Sequence, residues 1–147
     1  DCTIETDLVA LIPDSYIDVT AEKIRIYKEL DSVAKDSELK KMAERLSDRF
    51  GPIPPELSRL FDIVKVRPLG EKLGFEKIII KNGILIAFFI TNPMSAYYKS
   101  KTFSEILRKV SENNSGLELK QNDSKLRVIA RKIDSISKAY DVLKKLL

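Results

Sequence analysis

Histidine is absent from this chain, cysteine occurs once, and no run of apolar residues approaches the ~20 needed to cross a bilayer. Each absence removes a class of function. Histidine is the usual proton carrier near neutral pH and the commonest metal ligand, so Ser-His-Asp and Cys-His catalysis and zinc sites of mixed Cys and His ligands are excluded. The single thiol, Cys2, cannot form an internal disulfide and fits a reducing, cytoplasmic setting. No basic-then-apolar segment opens the chain, and no membrane association is expected. The phosphate-cradling patterns G-x-x-x-x-G-K-[ST] and G-x-G-x-x-G, the pair C-x-x-C and the calcium loop are all missing. Carboxylate chemistry stays formally open, but no acidic pair is marked out by its spacing. The expectation is a binding or regulatory domain rather than an enzyme, with no cofactor and no metal.

What is present describes a globular domain. Of 147 residues, 44% are hydrophobic and 33% charged, a profile that supports a packed core. One domain, residues 1–147, is expected, and a chain opening on Asp1 is expected to be a segment of something longer. Charge is uneven. Residues 1–75 hold 12 basic and 15 acidic side chains, whereas residues 76–147 hold 14 and 7. A basic C-terminal half can mark a nucleic-acid contact, because neutralised phosphates release counterions. It can equally be lysines decorating solvated faces and sheet edges.

The stretch Asp48-Arg49-Phe50-Gly51-Pro52-Ile53-Pro54-Pro55 is the pivot of the pattern. Leu39, Met42, Ala43, Leu46 and Phe50 recur at helical spacing before it. Gly51 fits a left-handed helix end, Pro52 blocks continuation, and Pro54-Pro55 presets the first turn of another helix. Phe50, Gly51, Pro52 and Pro54 therefore form a structural corner. On either side, alternation predicts a first strand over 4–12 whose second half is covered on both sides. A first helix is capped by Thr20 and striped by Ile24, Tyr27, Leu30 and Ala34, supported by Ile26 and Val33, and a second runs from Asp36 or Ser37 to Phe50. A third helix starts at Pro54-Pro55-Glu56, and Pro68 is expected to kink or break it. The outer face of the second helix carries Lys41, Glu44, Arg45 and Asp48, which suits either solvent or a flat charged partner.

Residues 76–147 read as hairpin, helix, hairpin, helix. Asn82-Gly83 between Lys77–Lys81 and Ile84–Ile90 signals a type I′ turn in a central hairpin covered on both faces. Phe88 and Phe89 point to opposite faces and cannot form one stacking surface. The segment 94–101 interleaves Tyr97 and Tyr98 with Lys99 and Lys101, a pattern that suits phosphate and base contacts or tyrosines closing a core. Thr102 and Glu105 read as a capping box. The second hairpin turns at Asn122-Asp123-Ser124, with Lys120, Lys125, Arg127 and Arg131 on or near its wetter face. Asp134 or Ser135 caps a last helix with Ile136, Ala139, Tyr140, Leu143 and Leu147 inward. The fold class is therefore α+β: a three-helix segment plus a small, mostly antiparallel sheet of an N-terminal strand and two hairpins, each followed by a helix. Lys99, Lys101, Lys125 and Arg127 are the candidate contacts of a nucleic-acid-binding alternative.

Three stretches carry a family resemblance: Ile12-Pro13-Asp14-Ser15-Tyr16-Ile17, residues 23–30 (KIRIYKEL) and residues 45–54 (RLSDRFGPIP). With Leu73-Gly74-Phe75-Glu76-Lys77-Ile78, they resemble the C-terminal domain of bacterial transcription-repair coupling factors of the Mfd type. The similarity covers essentially the whole chain, is best over 12–78 and weakens after residue 90. Pro68 departs from the family's unbroken helix. The resemblance implies a regulatory module of an ATP-dependent DNA translocase whose other domains bind RNA polymerase and DNA. In that family the C-terminal domain packs on an N-terminal module that binds UvrA, masks that surface and restrains translocation until polymerase is engaged. By this reading Lys41, Glu44, Arg45 and Asp48 are the candidate partner-contact surface.

Overall fold

The structure, a computed structural model, describes residues 1–147. Two compact units emerge, one of Asp1–Leu8 with Val66–Leu147 and one of Val9–Lys65. The fold class expected from the sequence is the one observed, an α+β chain with a mixed sheet.

The unit of Val9–Lys65 is helical. It contains α1 (Thr20–Asp31), α2 (Asp36–Phe50) and the opening turns of α3 (Pro55–Leu73). Its core gathers Ile12, Ile17, Ile26, Leu30, Leu39, Met42, Leu46, Leu57 and Phe61. The α2 stripe falls where its spacing put it. In α1 the buried line runs through Ile26 and Leu30, while Ile24 is 48% exposed and Ala34 lies on the surface beyond the helix. Tyr27 is itself partly exposed, its hydroxyl accepting the Ile12 N–H at 2.9 Å. Thr20 is the first helical residue rather than the cap; Val19 holds that place without a side-chain bond.

The chain of 9–19 is irregular rather than a strand, with a turn at 14–16 in which Tyr16 and Ile17 N–H both donate to Pro13 O. Leu11 N–H donates to Glu56 O at 3.2 Å, and Arg59 Nη1 donates to Val9 O at 2.8 Å. These bonds replace the sheet ladder expected through residue 12, and Val9 and Leu11 are exposed rather than covered.

The other unit is built on a five-stranded sheet: β1 (Thr3–Thr6), β2 (Phe75–Lys81), β3 (Ile84–Phe89), β4 (Leu117–Asn122) and β5 (Lys125–Arg131). Their spatial order is β1-β2-β3-β5-β4. β1 runs parallel to β2 and every other pair is antiparallel. β1 stops early because Thr6 Oγ1 takes the Leu8 N–H at 3.1 Å. Asn82 and Gly83 both have positive φ (53° and 72°), the geometry of a type I′ turn. Asp123 and Ser124 (46° and 62°) make the second hairpin the same way.

One face of this sheet is fully buried, with Ile78, Ile80, Leu85, Ala87, Val128 and Ala130 pointing to it. α3 reaches that face, since a Cβ on Gly70 would lie 2.9 Å from Ile78 Cδ1. Burial alternates along β2 and β3, so the central hairpin is sealed on one face only. α3 runs unbroken to Leu73 despite Pro68, and Gly74 ends it at φ +87°. α4 (Lys101–Ser111) begins earlier than the expected capping box: Ser100 Oγ accepts the Phe103 N–H, and Glu105 pairs with Arg108 instead. α5 (Ile136–Leu146) is capped by Ser135 and buries Leu146 rather than Leu147.

Candidate docking surface

Within the helical unit the corner is held by a phenol. Tyr16 Oη lies 2.7 Å from Gly51 O, its main acceptor, with Leu46 O at 3.1 Å. Its ring meets Phe50 at 5.8 Å between centroids, and Arg49 caps the Phe50 ring from 4.8 Å. Gly51 adopts φ +93° and ψ −172°. This is not the left-handed helical conformation expected of it but an extended positive-φ region that only glycine visits readily. A Cβ there would meet nothing within 4 Å, so the requirement lies in the backbone alone.

The rigid corner terminates α2, and α2 presents the candidate face. Lys41, Glu44, Arg45 and Asp48 are all exposed and recur at i, i+3, i+4 and i+7, one side of the helix. Arg45 pairs with Glu29 of α1. Arg49, which the sequence reading did not include, joins Arg25 on Glu22 at 2.8 Å each. Lys41, Glu44 and Asp48 have no ion-pair partner. The basic side chains nearest α1 are thus engaged within the unit, while Glu44 and Asp48, one turn apart, stay available. Paired and unpaired charges share the same helical spacing, because the pairing reaches across to Glu29 and Glu22 of α1.

In the sheet unit the tyrosines belong to the core. Tyr97 Oη donates to Leu73 O at 2.6 Å, and Tyr98 Oη donates to Ile90 O. Phe89, Tyr97, Tyr98 and Phe103 form a cluster of tilted and edge-on ring contacts with centroids 4.9–6.1 Å apart. Burial pushes the Tyr97 phenol far above its ordinary range, and the Tyr97 ring lies where any Gly74 side chain would stand. Lys99 ends the 3-10 turn Ala96–Lys99. Lys101 lines a depression with Lys72, Glu105 and Lys109, whereas Lys125 lines another with Glu76, Lys77, Phe88 and Thr91. Lys125 and Arg127 share a strand face; Lys99 and Lys101 stand apart from them.

No group of His, Cys, Asp and Glu is arranged to hold a metal, and no helix is long and apolar enough to cross a membrane. A family model described as the TRCF domain matches residues 6–100, a span holding the corner, α2 and α3. The chain belongs to the transcription-repair-coupling factor family. A transcription-repair-coupling factor of Rickettsia typhi is 32% identical over 147 residues, covering 98% of this chain and 12% of that protein. The Staphylococcus epidermidis counterpart is 37% identical over 78 residues, 53% of this chain and 7% of its own length. The crystal structure of the C-terminal domain of a transcription-repair coupling factor superposes with a TM-score of 0.74 at 21% identity, covering 99% of this chain and 86% of that one. This chain spans about an eighth or less of the curated relatives it matches.

Proposed function

We propose that this chain is a non-catalytic regulatory domain of a transcription-repair coupling factor. It docks on the N-terminal UvrA-binding module of the same protein, masks that module and restrains DNA translocation until RNA polymerase is engaged. The reading rests on family membership and, within the chain, on one observation: the exposed α2 face keeps Lys41, Glu44 and Asp48 out of ion pairs while Arg45 and Arg49 are paired.

The physics of masking favours such a face. Moving a two-state equilibrium from 1:99 to 99:1 takes about 5.5 kcal/mol of differential binding. An interface built on a few rim charges and a rigid corner holds well at the high effective concentration within one chain, yet yields to a competing partner.

The test is a charge reversal in the parent protein. Glu44→Lys/Asp48→Lys should raise its affinity for UvrA, and the gain should shrink as salt weakens the docked state of the unmodified protein. Unchanged UvrA affinity at low salt contradicts the reading.

A further inference from the structure

We propose that the open face of the sheet is a docking site for an acidic amphipathic helix of a partner protein. The inference concerns a different surface from the α2 face and does not rest on the masking reading.

Strand register defines the site. On β3, Ile84, Ile86 and Phe88 point to the face opposite the buried one, and all three are half-buried. Phe88 stands between Lys77 of β2 and Arg127 of β5. Ile86 stands between Ile79 and Ile129, and Ile84 between Lys81 and Arg131. Directly paired residues share a face, so the nine side chains form a grid: an apolar cross of five, Ile129 buried and the other four half-buried, with a cation at each corner.

Two glutamates bound the grid. Glu5 of β1 pairs with Lys77 at 3.0 Å and Lys81 at 3.8 Å. Glu118 of β4 pairs with Arg131 at 3.1 Å and Lys120 at 3.8 Å. Arg127 and the neighbouring Lys125 have no ion-pair partner; Glu76, beside Lys77, Phe88 and Lys125 at one end, is engaged by Thr91, so the face holds six cations against three carboxylates. The paired corner side chains are 41–54% exposed, which leaves them accessible.

Dimensions select the occupant. From Ile84 to Phe88 the cross extends about 14 Å along the strand, and three strands span about 10 Å. A helix is about 10 Å wide, and about nine of its residues rise 14 Å. Laid along β3, an amphipathic helix covers the cross with its apolar stripe. Acidic residues on both flanks then meet Lys77 and Arg127 at one end and Lys81 and Arg131 at the other. An apolar patch ringed by charge is the usual mark of a protein contact. A nucleic acid would use the cations but not the four isoleucines, and only one aromatic offers a stacking plane.

The test uses the 147-residue chain and a labelled helix-forming peptide of about 16 residues, with leucine every third or fourth position and glutamate along both flanks. Controls are the same peptide with lysine for glutamate and a single-stranded oligothymidine. Fluorescence anisotropy should show the acidic peptide binding at least about tenfold more tightly than either control. Arg127→Glu/Arg131→Glu should abolish that preference with circular dichroism unchanged, and amide shifts should centre on Ile79, Ile86 and Ile129. If that variant does not fold, Lys77→Glu/Lys81→Glu applies the same test from the other flank. Equal binding of the lysine peptide, retained binding by a folded charge-reversed variant, or an oligothymidine that binds in preference to the peptide overturns the proposal.

Discussion

At Gly51 a single residue decides whether the α2 corner closes. Its φ of +93° with ψ −172° lies where a side chain costs about 1–3 kcal/mol, and no neighbour crowds the position. Gly51→Ala should therefore lower the melting midpoint by roughly 3–10 °C for a chain of this size, measured by calorimetry, without any change in packing. The bond from Tyr16 to Gly51 O was not legible, since 35 residues separate them. Cys2 gives a second residue-scale prediction. Burial first, then the nearby Glu71 charge, pushes its thiol up to about 11 from an ordinary value of 9.0. The folded chain holds this proton after the unfolded chain has released it, so stability should fall between pH 9 and 11. At pH 8 the native thiol should react with iodoacetamide at least about a hundredfold more slowly than in denaturant. Rapid native labelling would contradict its burial.

Elements were legible in proportion to how local their determinants are. Asn82-Gly83 sits in the turn its backbone preference dictates, and the α2 stripe closes on the core that its spacing predicted. The first strand shortened because the Leu8 amide turns to Thr6 and the later Leu11 and Ile12 amides go to Glu56 and Tyr27, far along the chain. The expected capping box gave way to Ser100, which already holds the Phe103 amide. Pro68 is the sharpest case. A proline at that position leaves the Val64 carbonyl without its i+4 amide, yet α3 continues to Leu73. The burial of Val66, Leu69 and Leu73 supplies the tertiary support that overrides local cost. Pro68→Ala should accordingly stabilise the chain by about 1–2 kcal/mol, the restored bond outweighing the extra freedom of the unfolded chain. A lower midpoint in urea would mean that packing of the proline ring matters more than the missing bond.

For the whole molecule, composition led only as far as a binding domain without catalytic motifs, and the resemblance supplied the family that the TRCF match over residues 6–100 establishes. The proposed docking face was legible only as a charged side of α2. Which of its charges are spare was not, because Glu29 and Glu22 lie on another helix. The four corner cations of the sheet were equally out of reach, since they come from strands whose order β1-β2-β3-β5-β4 no local pattern encodes. The central claim is that this domain restrains the protein to which it belongs. The most direct measurement is the UvrA affinity of that parent protein with and without residues 1–147. Removal of the domain should tighten UvrA binding by at least about tenfold, the effect expected when a competing intramolecular contact worth ~1.4 kcal/mol or more is lost. Equal affinity in the two proteins would contradict the claim.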